Sequence, residues 1–132
     1  MKRIHIVAAI ILNAEKNEVF ITKRPEDKHK GGYWEFPGGK VEEQETISQA
    51  LIRELDEEVG ILVTQHSLFE QLEYDYPDKS LKFDFMLVTD FNNQPFGKEG
   101  QQGKWIPIGE LSHYEFPEAN QTIVERVLSE YA

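Results

Sequence analysis

Thr46-Ile47-Ser48-Gln49-Ala50-Leu51-Ile52-Arg53-Glu54-Leu55-Asp56-Glu57-Glu58-Val59-Gly60 is the stretch on which the fold turns. Thr46 with Gln49 three residues on makes a capping box, and Gly60 offers a stop, so the spacing predicts a helix between them. Its apolar residues, Ile47, Ala50, Leu51, Ile52, Leu55 and Val59, define a broad buried stripe. With Ile47 at zero, Glu54, Glu57 and Glu58 fall at about 340°, 280° and 20° around the axis. Glu58 therefore lies between Ile47 and Leu51, on the edge that should meet the rest of the protein.

A solvated face is the commonest fate of such a charge run. Two penalties weigh against it here. Like charges three and four residues apart repel by a few tenths of a kcal/mol each, and the macrodipole disfavours acids near a helix C-terminus. A bound Mg²⁺ or Mn²⁺ would remove both, because hard cations take oxygen ligands.

Outward from this helix the pattern changes to strands. Ile4–Leu12 and Val19–Lys23 read as strands joined by a polar turn at Asn13–Glu18. Lys28–Gly32 is a basic, glycine-ended loop, and Trp34-Glu35-Phe36 a short alternating segment before Pro37-Gly38-Gly39. Glu70–Tyr76 and Leu81–Phe91 read as strands around a Pro77-Asp78-Lys79 turn, and Lys104–Ile108 as a last short strand after a Gly97–Gly103 loop. A second helix is expected over Glu118–Tyr131, with Pro117 near its start and Ile123, Val124, Val127, Leu128 and Tyr131 at helical spacing. Strands mixed with two helices suggest a layered α/β domain.

The totals are compatible with one domain over residues 1–132. Apolar residues make up 39% and charged residues 29%, as in ordinary globular proteins. With no cysteine, disulfides and thiolate metal sites are excluded, which fits a reducing cytoplasm. Met1–Leu12 could be weighed as a signal peptide, but His5 interrupts it and no small-residue cleavage site follows, so a buried first strand is the better reading. No stretch is long enough to span a bilayer. The net charge of −10 argues against a general grip on nucleic-acid backbones. An acidic protein can still take a phosphate-rich small molecule when metal ions lie between the two sets of oxygens.

From Gly39 the chain reads Gly39-x5-Glu45-x7-Arg53-Glu54-Leu55-x-Glu57-Glu58-x-Gly60-Ile61. This matches the signature of the Nudix hydrolase family without a departure; a chance match is on the order of one in a billion per window. The resemblance implies an α/β/α sandwich around a mixed β-sheet, and hydrolysis of a nucleoside diphosphate linked to another group. It implies that Glu54, Glu57 and Glu58 are metal ligands or the base that activates water. The backbone at Gly38 or Gly39 would complete the ligand set, and Arg53 and Glu45 would orient it. Glu99 matches a further metal or catalytic carboxylate, although its Lys98-Glu99-Gly100 setting alone reads as a solvated turn. The general base stays open between Glu54 and Glu99. Metal ions suit this chemistry because negative charge on both substrate and nucleophile must be offset.

Resemblance outside the signature narrows the substrate. Val19-Phe20-Ile21-Thr22-Lys23-Arg24, Trp34-Glu35-Phe36-Pro37-Gly38-Gly39-Lys40, Lys98-Glu99-Gly100-Gln101 and Phe116-Pro117-Glu118-Ala119-Asn120 are similar, in residues and spacing, to family members that hydrolyse 8-oxo-dGTP. This implies that Asn120 reads the base. Its amide both donates and accepts, so it could donate to O6 and accept from the N7–H that only the oxidised guanine carries. From local sequence alone, Asn120 would be a helix-start or turn residue. The resemblance also places Arg24 and His29 against the nucleotide and Glu35, Phe36, Pro37 and Gly38 along its cleft. Alone, Arg24 would be a surface residue, His29 solvated and Phe36 core. Trp34, Tyr74, Tyr76, Phe83 and Phe85 should be mostly core; Tyr76, where related enzymes commonly carry phenylalanine, is a candidate wall of the base pocket. The rival readings are hydrolysis of another nucleotide, such as CTP or methylated dCTP, and a nucleotide sensor that does not hydrolyse. A monomer acting on a small nucleotide is the default expectation.

Overall fold

Every residue from Val7 to Leu12 is buried, because the strand that carries them has a layer packed on each of its faces. In this computed structural model, which describes residues 3–25 and 31–132, that strand is β1 (Ile4–Leu12). The expected position of His29 and most of the basic loop before Gly31 lie outside the described residues. The chain continues with β2 (Glu18–Lys23), β3 (Trp34–Glu35), β4 (Gly38–Lys40), α1 (Ile47–Val59), β5 (Leu62–Tyr76), β6 (Lys79–Asn92), β7 (Gly103–Pro107) and α2 (Gln121–Tyr131). Short 3₁₀ segments at Ile108–His113 and Glu118–Asn120 precede α2.

Among the described residues, the strands form one seven-stranded sheet ordered β3-β2-β1-β6-β5, with β4 also on β1 and β7 on β2. The β1–β6 pairing is parallel and the others are antiparallel, so the sheet is mixed. Side chains alternate across a strand, and β1 shows the result. Ala8, Ile10 and Leu12 join a core with Ile123, Val124 and Val127 of α2. Val7, Ala9 and Ile11 join a second core with Leu51, Leu55 and Val59 of α1. The expected α/β/α sandwich is the observed fold.

The local signals around α1 hold as well. Thr46 accepts from the Gln49 amide while Gln49 reaches back to the Thr46 amide, and Gly60 closes the helix at φ 72°. Three expectations need correction. β5 starts at Leu62 rather than Glu70, because irregularities in its register between Val63 and Glu70 break the alternation that would reveal a strand. The second helix opens with a 3₁₀ turn and becomes α-helical only at Gln121. Gly38–Lys40, not among the expected strands, pairs with β1. Among the described residues, no helix is long and apolar enough to cross a membrane.

At Ile11 and Leu12 one edge of β1 pairs with β2; nearer its start, Ile6–Ala8 pair with β4 instead. The sheet forks there. The fork sets β4 beside β1 in the sheet, with α1 packed against β4, and Glu58 of the acidic helix shares a cavity with Lys23 and Glu35 at the ends of β2 and β3.

Candidate active site

Glycine makes the close approach at the fork. A Cβ on Gly38 would fall 2.0 Å from the Val7 carbonyl oxygen, and one on Gly39 would fall 2.3 Å from Glu54 Oε2. The signature glycine at Gly39 is thus a space that the Glu54 carboxylate fills.

Arg53 organises the acids around it. Its Nε donates to Glu45 Oε2 at 2.6 Å and its Nη2 to Glu45 Oε1 at 2.8 Å, while Nη1 reaches Glu54 Oε1 at 2.8 Å and Glu57 Oε2 at 3.4 Å. The Nη2 group also donates to the Lys40 carbonyl. Hydrogen bonding from Arg53 holds the Glu45 carboxyl down at about 2. Burial raises Glu54 despite Arg53, and the charges of Glu57 and Glu99 raise it further.

Glu58 is the buried acid that the helical angles anticipate, only 8% exposed. Burial, aided by the negative charges of Glu35, Glu99 and Glu54, pushes its carboxyl up to about 9, and the Gly38 N–H donated to it opposes the rise. The C-terminal end of α1 is capped from the loop before β7: Lys98 N–H donates to the Glu58 carbonyl, Lys98 Nζ to the Asp56 carbonyl and Gln101 Nε2 to the Glu58 carbonyl. Lys98 therefore relieves part of the dipole penalty that the acids incur. The same loop carries Glu99.

Among the described residues, no group of three or more His, Asp or Glu side chains converges closely enough to hold a metal ion as it stands. Arg53 holds Glu54 and Glu57, and Glu58 lies buried beside the Gly38 N–H. The donor set nevertheless fits a divalent cation. Carboxylates are hard oxygen ligands, and the negative charge of Glu35, Glu99 and Glu54, which adds to burial in raising Glu58, is charge a cation would offset. Glu54, Glu57, Glu58 and Glu99 are the side chains able to hold it.

Two adjoining cavities share Arg24, Glu35 and Gly38 as their common wall. The more polar space also meets Glu58, Glu99, Lys23 and Gln101. The other, about 260 Å³, is lined by Ile4, Ile6, Phe36, Tyr76, Phe83 and Asn120 among others. Arg24 donates to Glu35 at 2.7 Å, and burial still raises the Glu35 carboxyl above its ordinary range. Phe36 is both core and wall, 3% exposed and tilted on Phe116 with centroids 5.0 Å apart. Pro37 is buried and lines neither cavity, its carbonyl accepting from the Ala9 amide. Asn120 is buried and occupies the N-cap position of α2, yet its side chain makes no cap hydrogen bond.

Sequence reasoning missed Lys23, Gln101, Lys79 and the Ile4–Ile6 face. For the isoleucines a signal existed, since alternation along β1 sets Ile4, Ile6 and Ala8 on one face. Lys79 and Gln101 offered none, because only tertiary folding brings them to the cleft. As expected, Phe83 and Phe85 are core, while Trp34 and Tyr74 are half-buried against it.

The arrangement can place a planar ring in the more apolar cavity and an anionic group toward the polar one, bridged by Arg24. A family model described as the NUDIX domain matches residues 7–126. The chain is 46% identical to an 8-oxo-dGTP diphosphatase of Escherichia coli, over 96% of this chain and 98% of that protein. It is 32% identical to a CTP pyrophosphohydrolase of the same organism, over 98% and 94%. A solved structure from work on MutT of Aliivibrio salmonicida and Vibrio cholerae superposes with TM-score 0.91 at 55% identity, covering 98% of this chain and 100% of that one. MutT-type Nudix hydrolases generally depend on divalent metal. Signature, layered fold and whole-length likeness agree, and this chain belongs to the Nudix hydrolase family.

Proposed function

We propose that this chain, working over its whole length as one domain, hydrolyses 8-oxo-dGTP and 8-oxo-GTP to the monophosphate and pyrophosphate. It would thereby cleanse the nucleotide pool of a precursor that causes replication errors. The observation that carries the reading is the placement of Asn120, a buried amide at a helix start that the helix does not use, in a cavity walled by Phe36 and Tyr76. Its amide donates to O6 and accepts from N7–H of the oxidised base; guanine would oppose a bare N7 to the amide oxygen. A site built on such a pairing discriminates by up to ~10⁴–10⁵.

Arg24, with His29, binds the nucleotide, and Glu35 and Gly38 border its passage to the acids. Mg²⁺, or Mn²⁺ in its place, supplies charge compensation for the phosphates and the attacking water when bound. Glu54, Glu57, Glu58 and Glu99, with the backbone at Gly38 or Gly39, hold it. Glu54, raised in pKa and fixed by Arg53, accepts the proton of the attacking water; Glu99 is the other carboxylate suited to that role. Attack falls on the β-phosphorus. The protein acts as a monomer in the cytoplasm and does not grip nucleic acid, in keeping with its net charge of −10.

Turnover of 8-oxo-dGTP, dGTP and CTP tests the substrate. 8-oxo-dGTP should lead in kcat/KM, and equal or faster turnover of CTP would sink the assignment. Inertness toward all three with Mg²⁺ and Mn²⁺ would favour a sensor. Glu54→Gln should lower kcat by at least ~10²-fold with the fold intact; unchanged turnover would remove Glu54 from the chemistry. In isotopically labelled water, label should appear in pyrophosphate, and label in the monophosphate would move attack to the α-phosphorus.

A further inference from the structure

Of the four acids gathered at the end of α1, Glu99 has the least support. Arg53 holds Glu54 and Glu57, and Glu58 is buried. Glu99 is exposed on the loop before β7. Among the described residues, its carboxylate has no hydrogen bond or ion pair. Whatever aims this side chain must therefore act through its backbone.

One side chain does so. Gln101 Oε1 accepts from the Glu99 N–H at 3.0 Å, and Gln101 Nε2 donates to the Glu58 carbonyl at 3.1 Å. A single amide, with its donor and acceptor at opposite corners, thus ties the chain at Glu99 to the last turn of α1. The turn is shaped for this reach. Gly100 has φ +91°, which favours glycine, and its N–H closes onto the Gly97 carbonyl at 3.1 Å. A Cβ on Gly97 would fall 1.7 Å from the Gln101 carbonyl oxygen. On the other side, the Gln102 carbonyl accepts from the Lys23 amide at 2.9 Å, so the turn is fastened to β2 as well.

Gln101, Glu58 and Glu99 line the same polar cavity, and the charge of Glu99 reaches both Glu58 and Glu54. The tie is neutral and engages only main-chain atoms of the two acids. It brings like charges together while leaving both carboxylates open to a cation.

We propose that Gln101 is a positioning residue for Glu99: its amide, bridging the Glu99 N–H and the Glu58 carbonyl, sets the Glu99 carboxylate against the acids of α1. The inference rests on the reading of Glu99 as a metal or catalytic carboxylate. It makes the C-terminal turn of α1 the reference for an acid carried by a separate loop.

Gln101→Met keeps the length of the side chain and removes both bonds. In protein free of metal and nucleotide, amide hydrogen exchange at Glu99, read by NMR, should speed up by about fivefold or more. Gly60, whose N–H is held by Asp56 and Leu55, should exchange as in the wild type, a sign that α1 is intact. With Mg²⁺ and the nucleotide that the wild type turns over fastest, kcat should fall by about tenfold while KM stays within about twofold. In a Glu99→Gln background, Gln101→Met should lower kcat by no more than about twofold further, because the pair acts as one unit. Gln101→Asn keeps the amide but is too short to bridge, and it supplies the same readouts if methionine disturbs the loop.

Unchanged Glu99 exchange would show that the amide does not hold the turn. Faster exchange with wild-type kcat, or an equal fall of kcat in both backgrounds, would show that Gln101 does not act through Glu99. Each of these results overturns the proposal. Failure of the underlying reading looks different: Glu99→Gln alone then keeps wild-type kcat, and the proposal falls with it. Because the fastest nucleotide is used, the outcome does not depend on which base the site prefers.

Discussion

Arg53 and Glu45 form a two-pronged ion pair, Nε to Oε2 at 2.6 Å and Nη2 to Oε1 at 2.8 Å, which leaves the remaining Arg53 nitrogen to face Glu54. The planar fork of arginine matches this geometry and an ammonium group does not. Arg53→Lys should therefore keep the charge, lose the orientation of Glu54, and lower kcat by about 10–100-fold. Steady-state kinetics beside a thermal melt check this. A variant whose loss lies wholly in KM would place Arg53 in substrate binding instead.

Gly39→Ala tests the space behind Glu54. Its new Cβ would arrive 2.3 Å from the carboxylate, so Glu54 must move. Because a side-chain end can shift at little cost while a misplaced reacting group is expensive, activity should fall by about 10²-fold. The melting temperature should change by only a few degrees. Wild-type kcat in this variant would show that the position of Glu54 is not critical.

Glu58 gives a pH dependence with a definite sign. Its folded carboxyl is raised from 4.5 to about 9, so between those values the folded state holds a proton that the unfolded state has lost. Its contribution is fully present below pH 4.5 and is lost as pH rises toward about 9, at up to ~1.4 kcal/mol per pH unit. In chelator-treated protein, denaturant unfolding should show stability falling across this window, and Glu58→Gln should flatten the slope. An unchanged slope in that variant would assign it to another group.

Thr46→Ala separates the helix from the chemistry. Removing the cap leaves the Gln49 amide without its side-chain acceptor, at a cost of about 1 kcal/mol. The midpoint of urea unfolding should fall accordingly while kcat stays within about twofold of wild type. A large loss of activity would mean that the start of α1 influences the acids near its end.

The sequence by itself determined what is local or strictly periodic. The capping box, the Gly60 stop and the angular place of Glu58 all follow from bonds and spacings within one helix. The alternation and apolar runs of β1 and β6 likewise set which residues could be buried. The signature supplied the identity of the acids, because its residue types are those the chemistry requires.

Only the tertiary structure decided how these parts are used. Val63–Glu70 hides a strand, since bulges erase the period on which a reading depends. Gly38–Lys40 pairs with β1 because of a fork in the sheet that no local spacing announces. The acids at the C-terminal end of α1 are not an open cluster: Arg53 gathers Glu54 and Glu57, and Glu58 is buried with its carboxyl raised. Asn120 illustrates the division most clearly. Local sequence makes it a cap, yet its side chain makes no cap bond and lines a cavity with Tyr76, 44 positions away in the chain. Hydrogen bonds and desolvation act through space, so a side chain's state depends on neighbours that sequence order does not reveal.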